Sequence, residues 1–214
     1  MTAALTRRHL LAAAAGLALV LPAAVAAEAA VSPESVLKDP DAPVGGNPHG
    51  DVTIVTYFDY NCPYCKESAV AMNAVVAGDG NVRVIYKDWP ILAASSNSGA
   101  ELALAAKYQG RYVEAHDALM AIHGRRITAA DMRAALAATD IDMTRLDADL
   151  KAHRDDITAL LRRTTAEAEA LGLSGTPVYL VGPFMVPSAL DEDGFRQIVS
   201  DARARSAASR PAAN

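Results

Sequence analysis

The chain's only two cysteines, Cys62 and Cys65, stand two residues apart in Asn61-Cys62-Pro63-Tyr64-Cys65. Thiols so spaced suit three kinds of chemistry. As a structural staple the pair is weak, since closing so short a loop contributes about 2 kcal/mol in the chain-entropy model, against about 4.7 for a 100-residue loop. A chain of 214 residues has room for a core without that help. As a structural zinc site the pair lacks ligands, because zinc there takes four. The histidines, His9, His49, His116, His123 and His153, all lie more than ten residues away in sequence. Redox exchange fits best: a thiolate attacks a disulfide, and its neighbour displaces what becomes attached. The nucleophile must be ionised, and a helix N-terminus, with unpaired N–H groups and a favourable dipole, depresses a thiol pKa.

The flanking elements put the pair in that position. Asp51 to Tyr60 is rich in β-branched and aromatic residues and predicts a buried strand. Pro63 stops it and suits a first helical turn. Tyr64 to Ala77 carries Ala69, Met72, Val75 and Val76 at helical spacing, ended by Gly78. Asn81 to Asp88 alternates as a second strand, closed by Trp89-Pro90. Strand, helix and strand of these lengths make a βαβ unit, whose strands should be parallel neighbours.

From Ser95 to Gly172 the pattern is helical only: Ser98–Gln109 and Arg111–His123 split by Gly110, then a capping box at Thr128-x-x-Asp131 opening a helix to about Ala138, then Asp142–Ala152 and Asp155–Leu171. Pro177–Val181 and Phe184–Val186 predict two more strands around Gly182-Pro183, and Leu190–Ala204 a final amphipathic helix. The domains expected are residues 1–27, a signal peptide; 28–50, an arm with a short helical turn lying on the surface; 51–92 with 173–205, a mixed sheet with its helices; 93–172, an all-helical insertion; and 206–214, a disordered tail.

Arg7 and Arg8, the apolar run Leu10 to Leu21 and Ala24-Val25-Ala26 read as a secretory signal cut near Ala26 or Ala27. The run is too short for the roughly 20 residues of a spanning helix. The paired arginines also suit twin-arginine export. Either route predicts a periplasmic protein. The formal charge is −5, and removing the leader removes arginines but no acids. No basic cluster is left to suggest nucleic acid.

This order of elements, with Cys62-Pro63-Tyr64-Cys65 after the first long strand and Gly175-Thr176-Pro177 before the third, resembles the DsbA-like thiol–disulfide oxidoreductases of the thioredoxin-like superfamily. Pro43 to Pro48, Tyr57 to Cys65 and Leu171 to Leu190 carry the resemblance. It implies an α/β thioredoxin-like fold, β-α-β … β-β-α, with the helical insertion. It also implies that Thr176-Pro177 is a cis peptide beside the cysteines, exposing the Thr176 backbone to an extended substrate. Relatives often hold a buried acid six residues before the first cysteine, where this chain has Thr56. Lys87 stands where a partner lysine is often found, and reads either as a cation biasing the site or as a surface lysine at a strand edge.

The roles expected are an exposed nucleophile for Cys62, a more buried and less acidic resolving thiol for Cys65, and tuning by Pro63 and Tyr64. No cofactor beyond the redox-active disulfide is expected. The partners expected are exported proteins carrying thiols or disulfides, and a membrane or soluble redox partner that regenerates the active state. Dithiol oxidation is the leading function. A disulfide reductase or isomerase of the copper-tolerance type and a non-enzymatic Cu(I)-binding or chaperone-like protein are the alternatives. His116 and His123 read as surface or packing residues, Arg125-Arg126 as a solvated junction, Arg162-Arg163 with Glu167 and Glu169 as a solvated helix face, and Trp89 as a core residue.

Overall fold

The structure, a computed structural model, describes residues 31–124 and 127–209. The leader with its cleavage site, the Arg125-Arg126 junction and residues 210–214 lie outside the described residues.

Among the described residues, five strands form one mixed sheet in the order β1-β3-β2-β4-β5. These are β1 (Val44–Gly46), β2 (Val52–Phe58), β3 (Val82–Asp88), β4 (Val178–Val181) and β5 (Phe184–Val186). β2 lies parallel to β3, as a crossover helix requires, and antiparallel to β4. With a neighbour on each edge and cover on both faces, β2 is buried nearly throughout, which is why it reads as a continuous apolar run. The thioredoxin-like α/β architecture expected from the order of elements is the one observed.

Alternation along β2 sorts the core into two clusters. Ile54 and Phe58 join Val84, Tyr86 and Tyr179 on one face, under α2 (Pro63–Asp79), the helical insertion and α8 (Glu192–Ala208). Val55 and Tyr57 join Ile85, Trp89 and Val178 on the other. There they meet Val36 of α1 (Pro33–Leu37), Ala42, and Ala168 of a long helix from the insertion. The insertion comprises α3 (Ala94–Ala106), a 3-10 turn, α4 (Tyr112–Met120), α5 (Ala129–Ala137), α6 (Met143–Ala152) and α7 (Arg154–Ala170). Thr128 caps α5 reciprocally with Asp131, and Gly110 (φ +71°) separates α3 and its 3-10 turn from α4.

Several expectations are corrected. The arm is not merely laid on the surface: Val44, Gly45 and Gly46 pair antiparallel with β3 and complete the sheet edge. α2 runs through Gly78 and stops at Gly80, whose N–H still bonds the Val76 carbonyl and whose φ of +70° turns the chain out of the helix. α3 starts at Ala94 and not Ser98, because Ser96 turns back to accept the Ala93 amide. α8 continues to Ala208, through alanines and arginines that favour helix, so the first residues of the expected tail are helical. Arg163 and Glu167 do not form a solvated face: Arg163 bonds Asp39 and Asp41, and Glu167 is buried.

Beneath the sheet's insertion face runs a buried polar chain. Asp88, at the end of β3, accepts a 2.6 Å hydrogen bond from the Tyr112 hydroxyl, and the nearby Tyr60 hydroxyl favours its charged form. The Tyr60 hydroxyl also lies 3.3 Å from His116 Nδ1. Asp88 Oδ1 and His116 Nε2 are buried without a partner. Burial pushes the Asp88 carboxyl up to about 7 and His116 down to about 3.

Candidate active site

Cys62 is the N-cap of α2, in extended conformation with φ −77° and ψ 115°, and Pro63 fills the first helical position. The Cys62 Sγ accepts the Cys65 amide at 3.3 Å. Its thiol is lowered to about 6. The Cys65 thiol, donating to the Cys62 sulfur, is the largest cause. Burial opposes it, and the Thr176 side chain and the Cys65 and Tyr64 amides reinforce it. The helix amides expected to hold the thiolate therefore act, but behind two side chains. Cys65, one turn further in, is pushed far above the ordinary thiol range, first by burial and then by its bond to Cys62. The pair is thus one acidic thiol and one reluctant one.

Both cysteines are free thiols and both are buried, Cys62 at 3% exposure and Cys65 at 2%. Cys62 is far less open than expected of the attacking sulfur. The carbonyl of Thr176, 3.3 Å from its Sγ, covers it. Tyr64, between the cysteines, is 62% exposed. It borders a groove of about 570 Å³ lined also by Thr176, Pro177, Met185, Pro187 and Ala189.

Thr176 precedes Pro177 across a cis peptide bond, as the resemblance implied. The Thr176 hydroxyl matters as well as the backbone that the resemblance points to. Oγ1 is buried with no conventional partner, and it lowers the pKa of both thiols. Thr176→Val keeps the shape and removes that donor. It should raise the Cys62 pKa by about one unit, the scale of a hydrogen bond to a charged group. Following thiolate absorbance against pH checks this, and an unchanged midpoint would discount the hydroxyl.

Asp59, which the motif did not flag, organises the approach to the cysteines. Its Oδ1 accepts from the Asn61 amide and the Ser96 hydroxyl, both at 2.7 Å. Its Oδ2 accepts from the Ile91 and Leu92 amides at 2.8 and 2.9 Å. The Asn61 side chain donates to the hydroxyls of Ser95 and Ser96, and the Cys62 amide to the Asp59 carbonyl. The loop before Cys62 is thereby tied to the start of the insertion. The available signal was a buried-strand sequence ending in an acid.

Lys87 is neither of the things expected of it. It pairs in register with Tyr57, on the sheet face away from α2, and is 1% exposed. Its Nζ lies 2.7 Å from Glu167 and 3.1 Å from Asp39, and Tyr57 donates to the same Glu167. Strand alternation sets this: Tyr86 faces the cysteine side, so Lys87 cannot. Its task is to join the arm and α7 to the sheet. Lys87→Met, leaving buried Glu167 without a cation and Asp39 with Arg163 alone, should cost about 3 kcal/mol of stability, with the Cys62 pKa unmoved. Denaturant unfolding and a thiolate titration of the same variant check both halves. The lysine whose charged form the two sulfurs favour is Lys66, on the first turn of α2.

A family model described as thioredoxin matches residues 38–201. Among solved structures, the chain is similar to a thioredoxin-like oxidoreductase from Silicibacter pomeroyi, at 37% identity and TM-score 0.76, over 81% of this chain and 99% of that one. It is also similar to the thiol-disulfide exchange protein alpha-DsbA2 from Wolbachia pipientis, at 25% identity and TM-score 0.73, over 78% and 90%. Proteus mirabilis ScsC follows at 25% and 0.70, over 80% and 76%. Among curated proteins, the Na+/H+ antiporter NhaA 1 of Salinispora arenicola is 30% identical over 146 residues, 67% of this chain. The chain spans 22% of that protein's length.

Proposed function

We propose that this chain, which belongs to the thioredoxin-like thiol–disulfide oxidoreductases, works in the periplasm as a dithiol oxidase of the DsbA kind, passing a Cys62–Cys65 disulfide to exported proteins. One observation carries this reading: the acidity split between Cys62, lowered to about 6, and Cys65, raised far above the ordinary range. A stabilised Cys62 thiolate makes the reduced form favourable and the disulfide form a willing donor of oxidising equivalents. A client thiolate attacks Cys62 Sγ, and the electron pair of the Cys62–Cys65 bond leaves on Cys65. A second client thiol then displaces Cys62, and the client departs oxidised while both cysteines are reduced. Pro177 and the Thr176 backbone are the docking edge for the client chain, and Tyr64 and Met185 offer it apolar surface. A redox partner reoxidises the pair, and no other cofactor takes part.

The N-terminal arm favours oxidase over isomerase. An isomerase dimerising through such an arm would need it free, whereas Val36 and Ala42 are buried against the arm's own domain and β1 is committed to the sheet. Equilibration of the whole protein with glutathione tests the proposal. Each unit of thiolate stabilisation raises the potential by about 30 mV, so it should lie above thioredoxin's value of about −270 mV. A potential at or below that value would make the protein a reductant and end the oxidase reading.

A further inference from the structure

Lys66 follows Cys65 on α2, yet its ammonium is turned into the protein. Nζ donates to the Leu119 carbonyl at 2.9 Å and the Met120 carbonyl at 3.5 Å. These are the last carbonyls of α4, at the negative end of that helix. The seat fixes the cation between α4 and the first turn of α2. Cys65, Asp59 and Cys62 each favour its charged form, in that order, while burial brings it down to about 8. His116, facing it from α4, is neutral and does not compete for the sulfurs. Asp59 is already saturated by four donors and is not among the hydrogen-bond partners of Nζ in the described residues. A half-buried ammonium held on neutral carbonyls against the first turn of α2, the turn that carries both thiols, leaves its charge to act there.

We propose that Lys66, seated on the carboxyl end of α4, is the cation that stabilises negative charge on Cys65 when this resolving thiol ionises. The inference rests on the thiol-exchange reading above and adds a residue to it. Glutathione attached to Cys62 is released in a single displacement. Cys65 gives its proton to solvent, a bond forms between the two cysteine sulfurs, and the Cys62–glutathione bond breaks. The electron pair leaves on the glutathione sulfur, which takes up a proton. Cys65 is the least acidic thiol of the pair, so a fixed positive charge matters most at this step.

The test mixes the reduced full chain with oxidised glutathione, quenches with acid at short times, and follows the mixed disulfide by mass. With Lys66→Met or Lys66→Gln its lifetime should lengthen about tenfold, one pKa unit on Cys65, while Lys66→Arg stays near the parent. Unfolding curves of the same variants record any loss of the α2–α4 tie. Unchanged lifetimes in both neutral variants would overturn the proposal, whatever their stability. So would an arginine variant as slow as the neutral ones, because packing and not charge would then be at stake. If Cys65→Ala forms no mixed disulfide, the exchange reading itself fails, independently of Lys66.

Discussion

Cys62→Ser should bring disulfide transfer to a reduced test protein down to the uncatalysed level, while Cys65→Ser, given a client that already carries a disulfide, should attack it through Cys62 and hold it in a lasting mixed disulfide. A serine hydroxyl cannot be ionised by the donors around position 62, and only a thiolate attacks or accepts sulfur here. Cys65 is the protein's own thiol for displacing a group attached to Cys62, so a client whose disulfide Cys62 has opened stays attached when that thiol is absent. The structure adds a second, separable consequence. The thiol of Cys65 is the largest cause of the acidity of Cys62. Cys65→Ala should therefore raise the Cys62 pKa from about 6 toward its ordinary value of 9.0, and Cys65→Ser, which keeps a donor, should raise it less. Adduct capture on non-reducing gels and thiolate absorbance read the two effects independently. Full activity in Cys62→Ser would overturn the assignment of nucleophile.

The buried pair Asp88 and His116 should give the protein a stability that is nearly flat between pH 4 and 6.5, with each single substitution uncovering a steep slope. Asp88 has a raised folded pKa, from 3.8 to about 7, so in this range the folded state holds a proton that the unfolded state has lost. Its contribution falls as pH rises. His116 has a depressed folded pKa, from 6.5 to about 3, so here the unfolded state holds the extra proton and its contribution rises with pH. The two differences are one proton each and opposite in sign, and they cancel. Asp88→Asn leaves His116 alone, and stability should then drop by about 1.4 kcal/mol for each pH unit of acidification. His116→Gln leaves Asp88 alone, and the slope should reverse, with stability lost on going from pH 4 to 7. Denaturant midpoints across this range decide it. Parallel flat lines for both variants would show that neither group changes its proton affinity on folding.

Much of this architecture is written in local sequence. The βαβ unit around the cysteines announces itself through two strand patterns and a proline at a helix start, and Thr128-x-x-Asp131 caps α5 as its spelling indicates. What escaped depends on which face of the sheet a residue takes, or on partners far away in the chain. Lys87 stands where relatives often hold a partner lysine, but one step along a strand reverses the side chain, and its partners Asp39 and Glu167 lie 48 and 80 residues away. Val44 to Gly46 is too short and too rich in glycine to read as a strand, and it becomes one only because β3 offers an open edge. The Thr176 hydroxyl and the Asp59 carboxylate have no local signature, since their roles arise from groups brought in by the insertion and by the loop before β4. Cys62 looked exposed because a helix N-cap usually is, and the Thr176 carbonyl that covers it comes from 114 residues on.

The Asp59 carboxylate has a mechanical corollary. Two amides of the chain entering the helical block, a serine hydroxyl of α3 and an amide beside the cysteines all end on one buried anion. The block cannot hinge outward without stripping donors from that anion together, and a bare carboxylate in the interior is too costly to tolerate. No clamshell motion is available at this junction. A polypeptide arriving at the thiols meets a mould of fixed shape, and all the bending falls to the visitor.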